Sequence, residues 1–94
     1  MPRVSTHAET DLQSIPGVGR RIAHDLVDLG YHSKADIRGE DPQWMYERLC
    51  ELRAAHIDRC MLYVFRCAVY FATFTVHDPD KLMWWNWKNI QAGE

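Results

Sequence analysis

Cysteine, glycine and proline are scarce in this chain, and their scarcity excludes several classes of protein. The three cysteines form an odd count with no Cys-x-x-Cys pair, so the disulfide framework of a small secreted domain is not expected. The polar N-terminus lacks the apolar stretch of a signal peptide. Five glycines and four prolines provide no low-complexity linker and no glycine-rich nucleotide loop. These absences predict a cytoplasmic domain with free thiols.

An excess of positive charge is also missing. The net charge is −2; residues 1–40 carry five Lys and Arg against six Asp and Glu, and residues 41–94 carry six against seven. A protein that binds DNA usually presents a basic face. Any such face in this chain must therefore be small and local.

The apolar residues recur mostly at helical spacing. With 47% hydrophobic residues in 94, one modest core is possible. The pattern predicts an all-α, compact bundle of five to six short helices, with a flexible arm over 1–8 and a single domain over 9–94. We expect helices ending before Pro16, ending at Gly30, within 33–39, from Pro42 to about Arg53, over 58–76 and from Asp80 to about Ile90.

Two of these helices have marked apolar patterns. Residues 60–76 contain one charge, Arg66, in 17 positions. This length is at the lower limit for a membrane span, and a central arginine opposes insertion, so we expect the core helix and no membrane partner. In the preceding helix the residues expected to face the core are Trp44, Met45, Leu49 and Leu52.

The strongest turn signal lies within residues 12–23. Pro16 fixes its own φ and moves Ile15 away from helical geometry, which ends the first helix. Gly17 can adopt the positive φ of a tight hairpin, and Gly19 permits close approach of another backbone where the next helix begins.

That helix start is suited to an anion. Its first amides lack partners and its dipole is positive, whereas Arg20 and Arg21 in the first turn oppose the dipole unless an anion is present. The amides near Val18, Gly19 and Arg20 are thus candidate phosphate ligands. A purely structural turn is the alternative, and Asp25, Asp28 and Asp36 would favour it if they surround the mouth of the hairpin.

The stretch resembles the helix-hairpin-helix motif of DNA repair and recombination proteins. The residues that carry the resemblance are Leu12-Gln13-Ser14-Ile15-Pro16-Gly17-Val18-Gly19, Ala23 and Leu26. The resemblance implies a sequence-independent grip on a nucleic-acid backbone. The residues then expected to contact DNA are Pro16, Gly17, Val18, Gly19, Arg20, Arg21 and Lys34.

The wider chain looks like the bacterial pathogenicity-locus proteins, which are single helix-hairpin-helix domains. The resemblance implies a SAM-domain-like helical fold. It is carried by Asp41-Pro42, Leu49-Cys50, His56-Ile57-Asp58-Arg59-Cys60, Tyr63-Val64-Phe65-Arg66-Cys67-Ala68-Val69-Tyr70-Phe71 and Trp84-Trp85-Asn86-Trp87-Lys88.

Thiols and one histidine form the only other chemical pattern. Cys50, His56, Cys60 and Cys67 could supply four zinc ligands, with the last three along one helical stripe. Buried core cysteines are the favoured alternative, because no Cys-x-x-Cys pair is present to chelate a metal from one turn and the run is otherwise apolar. His56 with Cys60 could also form a nucleophilic pair, but nothing else supports catalysis. We therefore predict no enzyme, no cofactor and no metal.

The C-terminal tryptophans leave three interpretations open. Two of Trp84, Trp85 and Trp87 could cover the core with the third exposed, an exposed indole could anchor a protein partner, or an indole could stack on a single-stranded base. Arg66 is expected to have a structural role and to reach either the edge of the core or an acidic partner, for which Asp58 and Glu51 are candidates. The leading prediction is weak DNA binding, and the alternative is a protein-interaction module or homodimer whose hairpin is structural.

Overall fold

All regular structure in the described part of the chain is helical, which confirms the all-α prediction. The computed structural model describes residues 10–89, with side chains up to residue 87. The predicted arm over 1–8 and the end of the last helix at Ile90 lie outside these residues. The elements are α1 (residues 10–12), α2 (Arg20–Asp28), α3 (Lys34–Ile37), α4 (Pro42–Arg53), α5 (Cys60–Thr73) and two 3-10 segments, Pro79–Leu82 and Trp84–Asn89.

The helix boundaries follow from local chemistry. Asp41 caps α4 by accepting a hydrogen bond from the Gln43 amide at 3.0 Å, as its position before Pro42 predicts. α2 ends at Asp28 with Leu29 as its C-cap, and Gly30, the next residue, has a φ of +104°. The Tyr31 amide then donates back to the Leu26 carbonyl at 3.0 Å, which completes a glycine-terminated helix end.

Residues 54–59 form the bend between α4 and α5. Ala54 has a φ of +52°, and the Ala55 amide donates to the Cys50 carbonyl at 3.2 Å. An alanine thus occupies the left-handed position that glycine usually takes at a helix end. Asp58 accepts a hydrogen bond from the Cys60 amide at 2.8 Å and starts α5.

α5 is the central element of the core. Phe65 on α5 is fully buried, and α5 packs against α3, α4 and both 3-10 segments. Residues 12–37 supply seven of the fifteen buried apolar side chains in the described part of the chain. The buried side chains contributed by residues 12–37 are Leu12, Ile15, Val18, Ala23, Leu26, Tyr31 and Ile37.

Two expectations about the apolar helices are wrong in detail. On α4, Met45, Tyr46 and Leu49 face the core, while Trp44 is 48% and Leu52 40% exposed. Trp44 lies one position, or about 100°, from Met45 around the helix, so both cannot share the centre of the buried face. The predicted stripe was therefore too wide.

α5 ends earlier than the predicted position 76. The helix stops at Thr73, and Phe74 has extended dihedral angles. Phe74 and Val76 are then 55% and 86% exposed. The β-branched residues that follow Phe74 favour extended backbone, so the apolar run continues beyond the helix.

The tryptophan-rich segment is not the α-helix that was predicted. It forms the two 3-10 segments, interrupted at Met83, which has extended dihedral angles. Side-chain bonds to the backbone hold this conformation: the Trp87 Nε1 donates to the Lys81 carbonyl at 2.7 Å, and the Asn86 Nδ2 donates to the Asp80 carbonyl at 2.8 Å. These bonds compete with a regular α-helical ladder.

Among the described residues, no helix is both long enough and apolar enough to cross a membrane.

Candidate nucleic-acid interface

The turn over residues 15–19 is held rigidly on the core. Ile15 and Val18 are both buried, and the Val18 amide donates to the Ile15 carbonyl at 3.1 Å. Gly17 has the positive φ that the hairpin requires, +86°. The Val18 amide is consequently used inside the turn, and the candidate anion ligands move to the amides that follow it.

The N-terminus of α2 opens this turn toward solvent. The first α-helical bond of α2 runs from the Ala23 amide to the Gly19 carbonyl at 2.9 Å. The amides of Arg20, Arg21 and Ile22 therefore precede the helical ladder. In the described structure no side chain caps α2 and its first turn contains no acidic residue.

Gly19 leaves the space in front of these amides open. Its φ of −93° and ψ of −168° are extended values that any residue adopts. A Cβ at this position would meet nothing within 4 Å. The close approach of another backbone that was expected at Gly19 thus does not occur within the described chain.

Three cations were predicted to face this opening, and the structure separates them. Arg20 and Arg21 are both exposed in the first turn of α2. Lys34 lies beside α1, where its amide donates to Asp11 Oδ2 at 2.7 Å and its Nζ is 4.0 Å from Asp11 Oδ1. The arginines are available to an anion, whereas Lys34 already has a carboxylate beside it.

The acidic residues of α2 share an ion pair with one arginine and do not surround the mouth of the hairpin. Arg53 on α4 places its Nη2 at 2.5 Å from Asp25 Oδ1 and 2.8 Å from Asp28 Oδ2, and these hydrogen bonds raise the pKa of Arg53. With a rise of 1.5 Å per residue, the two carboxylates start roughly 7 and 12 Å along the helix from Arg20. Asp36 instead accepts from the His32 amide at 2.8 Å.

The tryptophans divide as the first of their three interpretations predicted. Trp85 is 52% exposed, whereas Trp84 and Trp87 are partly buried. Trp84 lies against the 15–19 turn, with its Cδ1 3.2 Å from where a Cβ on Gly17 would stand. The C-terminal segment therefore supports the turn. This contact could not be predicted from the sequence, because Gly17 and Trp84 are far apart along the chain.

A groove lies beside the turn and consists of two adjoining depressions. They share an apolar floor formed by Ile22, Ile57 and Met61. One has a volume of about 610 Å³, and its other walls are Arg21, His24, Asp25, Asp28 and Arg53. The other has a volume of about 290 Å³, and its other walls are Gly17, Asp58, Cys60, Val64 and Trp84.

The candidate zinc ligands do not converge. Cys67 is buried, Cys50 partly buried and Cys60 exposed, so only Cys67 is the fully buried core cysteine expected. His56 lies in the turn before α5 and not on the helical stripe. In the described part of the chain no three histidine, cysteine or acidic side chains are placed to hold a metal ion.

Cys67 has the environment of an unreactive thiol. Burial raises the pKa of Cys67 to about 11, and its Sγ lies 3.5 Å from the Lys81 carbonyl oxygen. A thiol with so high a pKa is almost wholly protonated near neutral pH and is a poor nucleophile.

Arg66 does not pair with either expected carboxylate. Its Nη1 donates to the Trp87 carbonyl at 2.9 Å, and its guanidinium lies 5.7 Å from the centre of the Tyr63 ring. Arg66 thereby ties α5 to the tryptophan segment. The candidate carboxylates Asp58 and Glu51 are therefore not its partners; a backbone carbonyl accepts from a guanidinium as well, and the structural role expected of Arg66 agrees with this contact.

Comparisons with known proteins add a family and one relative. The family described as Cdd1, pathogenicity locus, matches residues 5–92. The mitomycin resistance protein McrB of Streptomyces lavendulae is 30% identical over 89 residues, covering 90% of this chain and 81% of that protein. No solved structure matches the chain.

Proposed function

The chain belongs to the pathogenicity locus family, and we propose that it binds the phosphate backbone of DNA weakly and without reading sequence. In this proposal α1, the 15–19 turn and α2 form a helix-hairpin-helix unit. The observation that carries it is the N-terminus of α2, which has no side-chain cap, no acidic residue in its first turn and two exposed arginines.

The isolated chain gains little from this arrangement. A cation in the first turn of a helix opposes the helix dipole, at a cost of about 0.3–1 kcal/mol at an exposed site. Two successive arginines incur that cost twice, and Gly19 forgoes the hydrogen bond that serine, asparagine or aspartate would make as a cap. A bound phosphate reverses each of these terms, because it accepts from the amides and pairs with the arginines.

The Arg53 contacts support the same proposal. Asp25 and Asp28 lie on α2 with Arg21, and without Arg53 two carboxylates would repel a nearby phosphate. Arg53 pairs with both. The three arginines of this surface, at positions 20, 21 and 53, carry one charge more than the two aspartates, so the local charge is positive. The overall acidity of the chain therefore does not extend to this surface.

The affinity should be low and strongly dependent on salt. Two to four phosphate contacts correspond to a slope of about −2 to −4 for log K against log salt concentration on duplex DNA. Binding is thus expected at low salt and should largely disappear near physiological salt.

Charge reversal tests the proposal. Arg20→Glu with Arg21→Glu should abolish the binding of labelled DNA measured by fluorescence anisotropy at low salt. As a matched control, Arg48→Glu changes the same charge as Arg21→Glu but lies on α4, where Arg48 pairs with Glu51. If Arg21→Glu and Arg48→Glu weaken binding equally, or if the double variant binds like the parent, the site is not at α2.

A protein-interaction module remains the second candidate, favoured by exposed apolar side chains near the C-terminal segment. Trp85, Met83 and Phe74 are 52%, 41% and 55% exposed. If this surface forms a homodimer, Trp85→Ser should reduce the sedimenting mass and leave DNA binding unchanged. The name of the relative specifies resistance to mitomycin and no ligand, so it favours neither candidate.

A further inference from the structure

The groove beside the 15–19 turn is continuous with the proposed phosphate site. Gly17 lines its smaller depression and Arg21 its larger one, and both residues belong to the turn or to the first turn of α2. A nucleotide whose phosphate lies on the α2 amides would therefore have its sugar and base directly beside the groove.

The groove has the chemistry of a base-binding surface. Its floor of Ile22, Ile57 and Met61 is apolar and packed on the core, and Trp84 adds an indole to one wall. Ligand pockets for molecules larger than a nucleobase typically have volumes of ~300–1,000 Å³. The two depressions, about 290 and 610 Å³, therefore have room for one base.

Charges at the rim favour the same orientation. Two arginines and two carboxylates line the larger depression: Arg21, Arg53, Asp25 and Asp28. Arg53 pairs with both carboxylates, so Arg21 is the cation that attracts the sugar-phosphate chain. Asp58 lines the smaller one, and a hydrogen bond from the Cys60 amide lowers the pKa of its carboxyl. An ionised carboxylate excludes phosphates from the apolar end, so an uncharged base is the part of a nucleotide that can enter it.

We propose that this groove takes an unstacked base and that the preferred ligand of the site is single-stranded DNA. The proposal rests on the proposed function, because the α2 N-terminus supplies the phosphate contact that aligns the strand. In a duplex, a base could enter only after leaving its stack, at a cost of a few kcal/mol. A single strand pays much less of that cost and gains contact with the apolar floor and the indole.

Three ligands of equal length test this proposal by fluorescence anisotropy at low salt: oligothymidylate, an abasic strand with the same phosphates, and a duplex. We expect oligothymidylate to bind about tenfold more tightly than the other two. Equal affinity for all three, still lost in the Arg20→Glu and Arg21→Glu double variant, would overturn the groove and leave the phosphate site intact. Binding of none of the three would overturn both.

Two variants locate the base. Trp84→Leu removes the indole. The affinity for oligothymidylate should then fall to about that for the abasic strand. Because Trp84 also supports Gly17, a second variant avoids that contact: Cys60→Leu fills the smaller depression from an exposed position, with Cys60→Ser as its control. If the preference survives in folded Cys60→Leu and Trp84→Leu proteins alike, the base does not enter the groove.

Discussion

Gly17 and Gly19 lie two positions apart in the same turn, but the structure requires a glycine at only one of them. Gly17 has a positive φ and contacts Trp84, so a side chain there would be strained and crowded. Gly19 has extended angles and open space before it. Its small size leaves the α2 amides accessible, and the fold does not need it.

Gly19→Asp separates stability from binding. The new carboxylate should cap α2 and complement its dipole, which raises the free energy of unfolding by about 0.5–1 kcal/mol. The same group should occupy the amides and abolish DNA binding. The measurements are thermal unfolding and fluorescence anisotropy on one preparation.

Gly19→Asn is the control for that variant, because it caps the helix without adding charge. A Gly19→Asp protein that is more stable and still binds DNA would show that the amides are not the site. The positive φ of Gly17 was predictable from the turn chemistry alone. The contact with Trp84 was not, because it depends on how the last segment folds back.

At the scale of the elements, helix ends marked by a capping residue could be predicted from the sequence. The buried face of a helix, and helix ends without such a residue, could not. Asp41 before Pro42, and Gly30 at the end of α2, are local signals that tertiary packing leaves unchanged. The end of α5 follows from the extended backbone at Phe74, and the 3-10 form of the tryptophan segment from side-chain bonds to the Asp80 and Lys81 carbonyls. Hydrophobic spacing carries no information on such contacts.

Asp58 makes the start of α5 sensitive to pH. Hydrogen bonding to the Cys60 amide lowers its pKa below the usual 3.8, so its stabilising effect is complete above that value and is lost as the pH falls through the lower, folded-state pKa. Asp58→Ala should lower the melting temperature at pH 7, and the difference from the parent should narrow below pH ~4.

Asp58→Asn keeps a cap acceptor but cannot ionise. Its melting temperature should lie between those of the parent and Asp58→Ala at pH 7 and approach the parent's in acid. A gap between the parent and Asp58→Ala that stays constant from neutral pH to acid would contradict the assignment of this carboxylate as the helix cap.

At the scale of the whole molecule, Arg53 joins stability to the proposed function. It bridges α4 to two carboxylates on α2, and its side chain is 35% exposed. Arg53→Met should cost about 1 kcal/mol or less at low salt, because partly exposed ion pairs contribute little and salt screens them. It should weaken DNA binding as well, since the charges of Asp25 and Asp28 would lose their guanidinium partner and repel a nearby phosphate more strongly.

Arg48→Met removes an exposed arginine whose partner, Glu51, lies on the same helix, and it is the matched control for Arg53→Met. Chemical denaturation and anisotropy should show little change in this control. If Arg53→Met binds DNA as tightly as Arg48→Met does, the ion pairs of Arg53 with Asp25 and Asp28 have no part in DNA binding.

Only part of the candidate site could be predicted from the sequence. The turn, its glycines and both arginines are contiguous in sequence, and the structure places them together as expected. The remaining features join residues at least 25 positions apart: Arg53 with Asp25 and Asp28, and Trp84 with Gly17. A single sequence contains the first kind of information and not the second.

The most direct test of the α2 site is an amide ¹H–¹⁵N NMR titration of the parent protein with oligothymidylate at low salt. We expect the largest chemical-shift changes at the amides of Gly19, Arg20, Arg21 and Ile22. The Val18 amide, which donates to the Ile15 carbonyl, should show a smaller change. Saturable binding with its largest shifts elsewhere, around Trp85 or Phe74 for example, would contradict the α2 site.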